Sequence, residues 1–262
     1  MQSSLNCRNI KQRLLIVGGT GEANQLATKA AQIDKIEVIT SLAGRTQKPV
    51  TPTGTVRVGG FGGKLGLIEY LQEQKIDLLI DATHPFAAQI SFNAAAATEQ
   101  CRLPHLMLVR PPWQQVAGDN WLEVASNEAA AKMLPKSAQR IFLTIGRQER
   151  AAFAHLKSQW FLMRMIDPPT TALIPQGKLL LEKGPFSLDH ERQLLTEYQI
   201  DLVVSKNSGG DATVAKIIAA RELKISSVMV QRPATPKVEQ VADVDASINW
   251  LSRHPITIRQ SK

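Results

Sequence analysis

The 262-residue sequence has only two cysteines, Cys7 and Cys101, and no Cys-x-x-Cys pair. That excludes a disulfide framework and a cysteine-based zinc site, and leaves two free thiols in a reducing compartment. No two of the five histidines (His84, His105, His155, His190 and His254) lie three or four residues apart, so no metal centre is expected. Aromatic residues make up 5%, too few to pave a stacking platform for single-stranded nucleic acid. No run of basic residues forms an arm or tail. No apolar run reaches the roughly 18 residues of a membrane span, and residues 1–12 lack the apolar core of a leader. The expected setting is the cytoplasm. Two catalytic signatures are also missing. There is no G-x-S-x-G elbow, and neither Tyr70 nor Tyr198 is followed by lysine four residues on.

What is present is ordinary globular composition, 44% apolar and 21% charged, long enough for one large domain or two modest ones. A net charge of +8 favours anionic partners.

Short apolar runs alternate with alanine-rich stretches. Strands are expected over residues 14–17, 36–40, 55–58, 76–80 and 105–109, and helices over 22–31, 65–74 and 86–100. This alternation predicts a doubly wound parallel sheet. Arg110-Pro111-Pro112-Trp113 interrupts it, because paired prolines continue neither strand nor helix. The pattern then restarts. Strands are expected at 140–145, 160–166, 178–181, 202–205 and 227–230, and helices at 148–156, 188–198, 211–223 and 244–251. The reading is α/β, with two Rossmann-like doubly wound domains and a cleft between them. Its bounds are a tail over 1–12, domains over 13–112 and 113–252, and a tail over 253–262.

The first strand runs into Gly18-Gly19-Thr20-Gly21-Glu22-Ala23. Glycine lets a backbone approach a phosphate, and a helix N-terminus offers unbonded N–H groups. Gly19 and Gly21 match the first two glycines of G-x-G-x-x-G, but Asn24 stands third, and such a turn would also serve any α/β protein. The second strand ends in Thr40-Ser41-Leu42-Ala43-Gly44-Arg45. The acid that selects NAD is missing there, so Ser41 and Arg45 are candidates for a 2′-phosphate, favouring NADPH with NADH as the alternative. Asp81-Ala82-Thr83-His84-Pro85-Phe86 follows the fourth strand, where ligands of open parallel sheets bind. Thr83 is therefore a candidate cofactor contact, and His84 and Asp81 are the candidate proton donor or its orienter. In the second half, Gly146-Arg147-Gln148 and Lys206-Asn207-Ser208-Gly209-Gly210 end two strands. Arg147, Lys206, Asn207, Ser208 and Gly209 are candidates for binding an anionic substrate.

Taken together, residues 18–23 (GGTGEA), 41–45 (SLAGR), 58–63 (VGGFGG), 81–87 (DATHPFA), 146–148 (GRQ), 184–186 (GPF) and 206–210 (KNSGG) resemble the precorrin-6A reductase family, in order, over residues 13–251. The resemblance implies a two-domain reductase that passes a hydride from NADPH to a corrin-ring precursor, precorrin-6A or its cobalt form, in cobalamin biosynthesis. It also implies a cofactor set of Gly18, Gly19, Thr20, Gly21, Glu22, Ser41, Arg45, Gly60 and Thr83. The partner is then a polyanionic tetrapyrrole, in keeping with the positive charge, with no nucleic acid and no membrane, and a monomer or small homo-oligomer is expected. Two rivals stand beside it: a reductase of another small anionic metabolite, and a non-catalytic nucleotide-binding module.

Overall fold

A computed structural model describes residues 11–44, 51–135, 137–146, 149–169 and 174–254. Arg45, Arg147 and most of the two expected tails lie outside the described residues. The chain runs β1 (Gln12–Val17), α1 (Gly21–Ala30), β2 (Ile36–Leu42), β3 (Thr55–Val58), α2 (Gly63–Glu73), β4 (Leu78–Asp81), α3 (Ala88–Cys101) and β5 (His105–Leu108). It continues through β6 (Trp121–Val124), α4 (Asn127–Met133), β7 (Arg140–Thr144), β8 (Trp160–Met165), β9 (Gly177–Leu181), α5 (Leu188–Glu197) and β10 (Leu202–Lys206). Last come α6 (Ala215–Glu222), β11 (Ser226–Val230), β12 (Glu239–Val241) and α7 (Val244–Ser252).

Two compact units result. One comprises the chain up to Arg110 and from Ala234 onward, and the other spans Pro111–Pro233. The first carries a six-stranded parallel sheet in the order β12-β5-β4-β1-β2-β3. Alternate residues of β1 serve opposite faces. Leu14 and Ile16 pack with Leu26 and Ala27 of α1 and with Trp250 and Leu251 of α7. Leu15 and Val17 pack with Leu67 and Leu71 of α2 and with Ala94 and Ala97 of α3. A strand segment covered on both faces reads as a near-continuous apolar run, here Leu14–Val17, and each fully buried Leu or Ile contributes about 1.5–3 kcal/mol. In α1, Ala23, Leu26, Ala27 and Ala30 are buried, the i, i+3, i+4, i+7 stripe of a helix lying on a sheet.

The grouping of the C-terminal segment departs from the sequence expectation. Residues 239–252 were expected in the second domain, yet β12 pairs with β5, and the indole N–H of Trp250 on α7 donates to Glu239 of β12 at 2.8 Å. Trp250 is 1% exposed in the first unit's core. The expected tails are also shorter at their inner ends: Gln12 opens β1, and its amide donates to the His254 carbonyl at 3.2 Å.

The second unit holds another parallel six-stranded sheet, β6-β11-β10-β7-β8-β9. Its core includes Phe142, Leu162 and Val203 against Leu194 and Leu195 of α5 and Ala219 and Ala220 of α6. The expected helix over 148–156 is a single 3-10 segment, Glu149–Phe153. The expected helix over 211–223 is broken into a 3-10 turn, Asp211–Thr213, and α6.

Candidate active site

In the first sheet, the strand order reverses between β1 and β4, where the connections leave in opposite directions. Ligands of such sheets bind at the carboxyl ends of the strands at that point. A row of in-register residues crosses it: Arg57 on β3, Ser41 on β2, Val17 on β1, Asp81 on β4 and Met107 on β5.

The turn after β1 is shaped by close packing on one side and open space on the other. A Cβ at Gly18 would lie 3.1 Å from the Ala23 Cβ and 3.3 Å from Thr40 Cγ2, whereas one at Gly19 or Gly21 would meet nothing within 4 Å. Gly19 adopts φ 113°, which other residues rarely tolerate. Thr20 is the N-cap of α1. Its hydroxyl accepts from the Ala23 N–H at 3.1 Å and donates to the Ala82 carbonyl at 2.8 Å, so one side chain ties this turn to the loop after β4. Helix geometry leaves the N–H groups of Gly21 and Glu22 without intrahelical acceptors, facing the open side. Glu22 would oppose an anion there, but Arg110 Nη1 holds both its carboxylate oxygens, at 3.0 and 2.9 Å.

Asp81 is 1% exposed. Its Oδ1 accepts from the Thr83 N–H at 3.0 Å and from the Thr83 hydroxyl at 2.7 Å, which shapes the loop. Its Oδ2 is buried with no hydrogen-bond partner among the described residues. His84, next in line, is exposed. Its Nδ1 accepts from the Phe86 N–H at 3.2 Å, which puts the proton of the neutral ring on Nε2. Nearby His105 has its pKa lowered, chiefly by burial, with Asp81 opposing the shift.

Ser41 is 3% exposed at the tip of β2, and Arg57 Nη1 donates to its Oγ at 3.1 Å. Sequence reasoning missed Arg57. Gly60, a candidate from the VGGFGG segment, accepts from Arg57 Nη2 through its carbonyl at 2.7 Å, and its backbone faces open space.

On the second unit, Lys206 ends β10 and Asn207 to Gly209 follow it, beside β7, where that sheet reverses its own order. The Lys206 ammonium is paired with Glu149, a residue the sequence reading did not single out. The Asn207 side chain is tied to Trp113, accepting from its N–H at 2.8 Å and donating one of its two N–H groups to its carbonyl at 3.0 Å. Arg232 donates to the Ser208 carbonyl at 3.0 Å. Gly209, at φ 66°, admits the Pro111 carbonyl, which an added Cβ would meet at 2.0 Å. Asn207 and Gly209 therefore hold the loop's shape, and Lys206 carries its charge. Behind the loop, Arg164 and Glu191 form a buried ion pair at 2.6 Å, with the Arg164 guanidinium 3.9 Å from the Phe186 ring of the GPF segment. Lys216 is buried beside them, its pKa pushed down to about 7 chiefly by desolvation, with Glu191 opposing and Arg164 adding to the shift.

Among the described residues, no group of three or more His, Cys, Asp or Glu is placed to hold a metal ion, and no helix is long and apolar enough to cross a membrane. The residues present fit a dinucleotide: bare backbone over a helix start, no acid at the β2 tip, and a cation beside Ser41.

The chain is similar over almost its whole length to several known proteins. The precorrin-6A reductase of Rhodococcus erythropolis is 48% identical over 240 residues, covering 91% of this chain and 97% of that protein. The precorrin-6A reductase of Rhodobacter capsulatus is 40% identical over 248 residues, covering 94% and 98%. A solved structure of CobK precorrin-6A reductase superposes with a TM-score of 0.87 at 39% identity, covering 95% of this chain and 99% of that one. The sequence model described as Precorrin-6x reductase CbiJ/CobK matches residues 13–252. The chain belongs to the precorrin-6x reductase CbiJ/CobK family.

Proposed function

We propose that this protein reduces the precorrin-6A macrocycle to precorrin-6B with NADPH as hydride donor. The observation that carries this reading is the Thr20–Ala82 tie. It joins a bare glycine turn at a helix start to the His84 loop, at the point where the first sheet reverses its order. When bound, the nicotinamide supplies the hydride, and the residues supply position and protons.

The N–H groups of Gly21 and Glu22, with the open backbone of Gly19, receive the pyrophosphate, and Gly18 lets the turn pack close against Ala23 and Thr40. Thr83 lies on the adjoining loop, toward the nicotinamide end. Ser41 and Arg45 favour a 2′-phosphate on the adenosine ribose, because no acid stands at the β2 tip to accept a ribose hydroxyl. His84 is the donor of the proton that must follow the hydride, acting as the imidazolium, which forms when Nδ1 takes up a proton in place of the Phe86 N–H and which returns to the neutral ring on donation, and Asp81 orients the loop through Thr83. On the second unit, Lys206, Arg147 and the backbone of residues 208–210 take carboxylates of the macrocycle. Lys206 does so by exchanging its bond to Glu149 for one to the substrate. The net charge of +8 attracts that polyanion over longer range.

The test is a Gly21→Val variant. A Cβ at Gly21 meets nothing within 4 Å, so the fold survives and only the close approach of a phosphate is blocked. Calorimetry should show NADPH binding lost while the melting transition stays near that of the parent. Unchanged NADPH binding in the folded variant contradicts the assignment.

A further inference from the structure

The tip of β2 has no acid, yet a cation reaches it from the next strand. Arg57 stands in register with Ser41. Its Nη1 donates to Ser41 Oγ at 3.1 Å and to the Gly59 carbonyl at 2.6 Å, and its Nη2 donates to the Gly60 carbonyl at 2.7 Å. The guanidinium carbon lies 3.9 Å from the centroid of the Phe61 ring and 5.0 Å from that of Tyr70. The side chain is thus fixed in direction by three hydrogen bonds and two ring faces.

A guanidinium has five N–H groups. Three are used on the protein. Nε–H and the second N–H of Nη2 remain, on the two nitrogens that form one side of the planar fork. That side has the spacing for two oxygens of one phosphate. The loop beside it, over residues 59–63, gives it room: a Cβ at Gly59, Gly60, Gly62 or Gly63 would meet nothing within 4 Å.

We infer that Arg57 selects the cofactor, gripping the 2′-phosphate of the adenosine ribose side-on while Ser41 fixes the guanidinium. This rests on the reading of the glycine turn as the nucleotide site. It differs from that reading in placing the selective cation on β3, sixteen residues from Ser41 in sequence, and in giving Phe61 and Tyr70 the task of aiming it. Lysine could supply the charge at this position but neither the two parallel N–H groups nor the flat face.

The experiment is calorimetry of 2′,5′-ADP and 5′-AMP with the parent protein, Arg57→Ala and Arg57→Lys, each checked for an intact fold by its melting transition. The parent should bind 2′,5′-ADP about tenfold more tightly than 5′-AMP or better, as expected for a charged hydrogen-bonded pair. Arg57→Ala should bring the two ligands to within about twofold by weakening 2′,5′-ADP alone, and Arg57→Lys should fall between. Retention of the full preference in Arg57→Ala overturns the inference, as does equal loss of both ligands, which would make Arg57 only a clasp for the loop. Equal binding of the two nucleotides by the parent overturns it too, while leaving the nucleotide site standing. Failure of the parent to bind either would instead bring down the nucleotide reading of the glycine turn. Should Arg57→Ala not fold, the parent's preference and the Arg57→Lys ratio carry the test, and an undiminished ratio in Arg57→Lys counts against the side-on grip.

Discussion

The hydroxyl of Thr20 donates to the carbonyl of Ala82 at 2.8 Å while accepting from the N–H of Ala23 at 3.1 Å. One side chain thus caps α1 and joins the two loops assigned to the cofactor. Thr20→Val removes both bonds in nearly the same volume. It should cost about 1–2 kcal/mol in denaturant unfolding, the usual scale of a lost cap, and raise the KM for NADPH. Thr20→Ser should sit close to the parent in both. Parent-like stability and KM in Thr20→Val would show that the tie does not organise the site.

Lys216 gives the second unit a pH signature. Its pKa in the folded chain lies at about 7, against 10.5 for the free side chain. The unfolded chain therefore holds the extra proton between those values, so stability should rise with pH across that window. The full cost is present below about 7 and is relieved as the ammonium is neutralised. The slope from one such group is about 1.4 kcal/mol per pH unit. Lys216→Met should flatten that part of the profile and be the more stable protein at pH 7. Parallel profiles for the two proteins between pH 7 and 10 would contradict this.

His84 and Asp81 have separate tasks here, proton donor and orienter. Single-turnover oxidation of NADPH under saturating cofactor should be slowed in His84→Ala, with the alkaline limb of its pH–rate profile displaced. Asp81→Asn, which loses the carboxylate that Thr83 donates to, should slow the reaction while leaving that limb in place. If both variants keep the parent's rate and profile, the proton comes from solvent or from the substrate's own carboxyl groups.

Lys206 should serve the substrate more than the cofactor. Lys206→Ala is expected to raise the substrate KM with little change for NADPH. Because it also strands Glu149, it should be compared with the double variant Lys206→Ala/Glu149→Gln. Equal loss for both ligands would move Lys206 to the cofactor.

Much of this was legible in the sequence where a residue's own run settles the matter. β1, β4 and β10 lie inside their sheets, and each carries an unbroken apolar run: Leu14–Val17, Leu78–Ile80 and Leu202–Val204. β6 and β12 do not. Trp121–Val124 and Glu239–Val241 are short strands at sheet edges with exposed or half-exposed residues, and no periodicity marks them. The pairing of β12 with β5 is what assigns the C-terminal segment to the first unit, and pairing between residues more than a hundred apart leaves no local trace. The glycine turn and the His84 loop were found because strand, glycine and helix start are contiguous. Arg57 was missed because register, not proximity in sequence, brings it to Ser41. The available signal was a lone arginine on the strand that enters the GGFGG segment. Lys206 and Asn207 read as open ligand groups because their partners, Glu149 and Trp113, are 57 and 94 residues away.

The central claim is hydride transfer from NADPH to precorrin-6A. Its most direct test is anaerobic single turnover of the purified protein with precorrin-6A and NADPH deuterated at the transferable position, with parallel runs using NADH and the cobalt form of the substrate. The account predicts stoichiometric oxidation of NADPH, one deuterium carried into precorrin-6B, and slower reaction with NADH. Turnover without deuterium in the product, or no oxidation of either nicotinamide with precorrin-6A or its cobalt form, would contradict it.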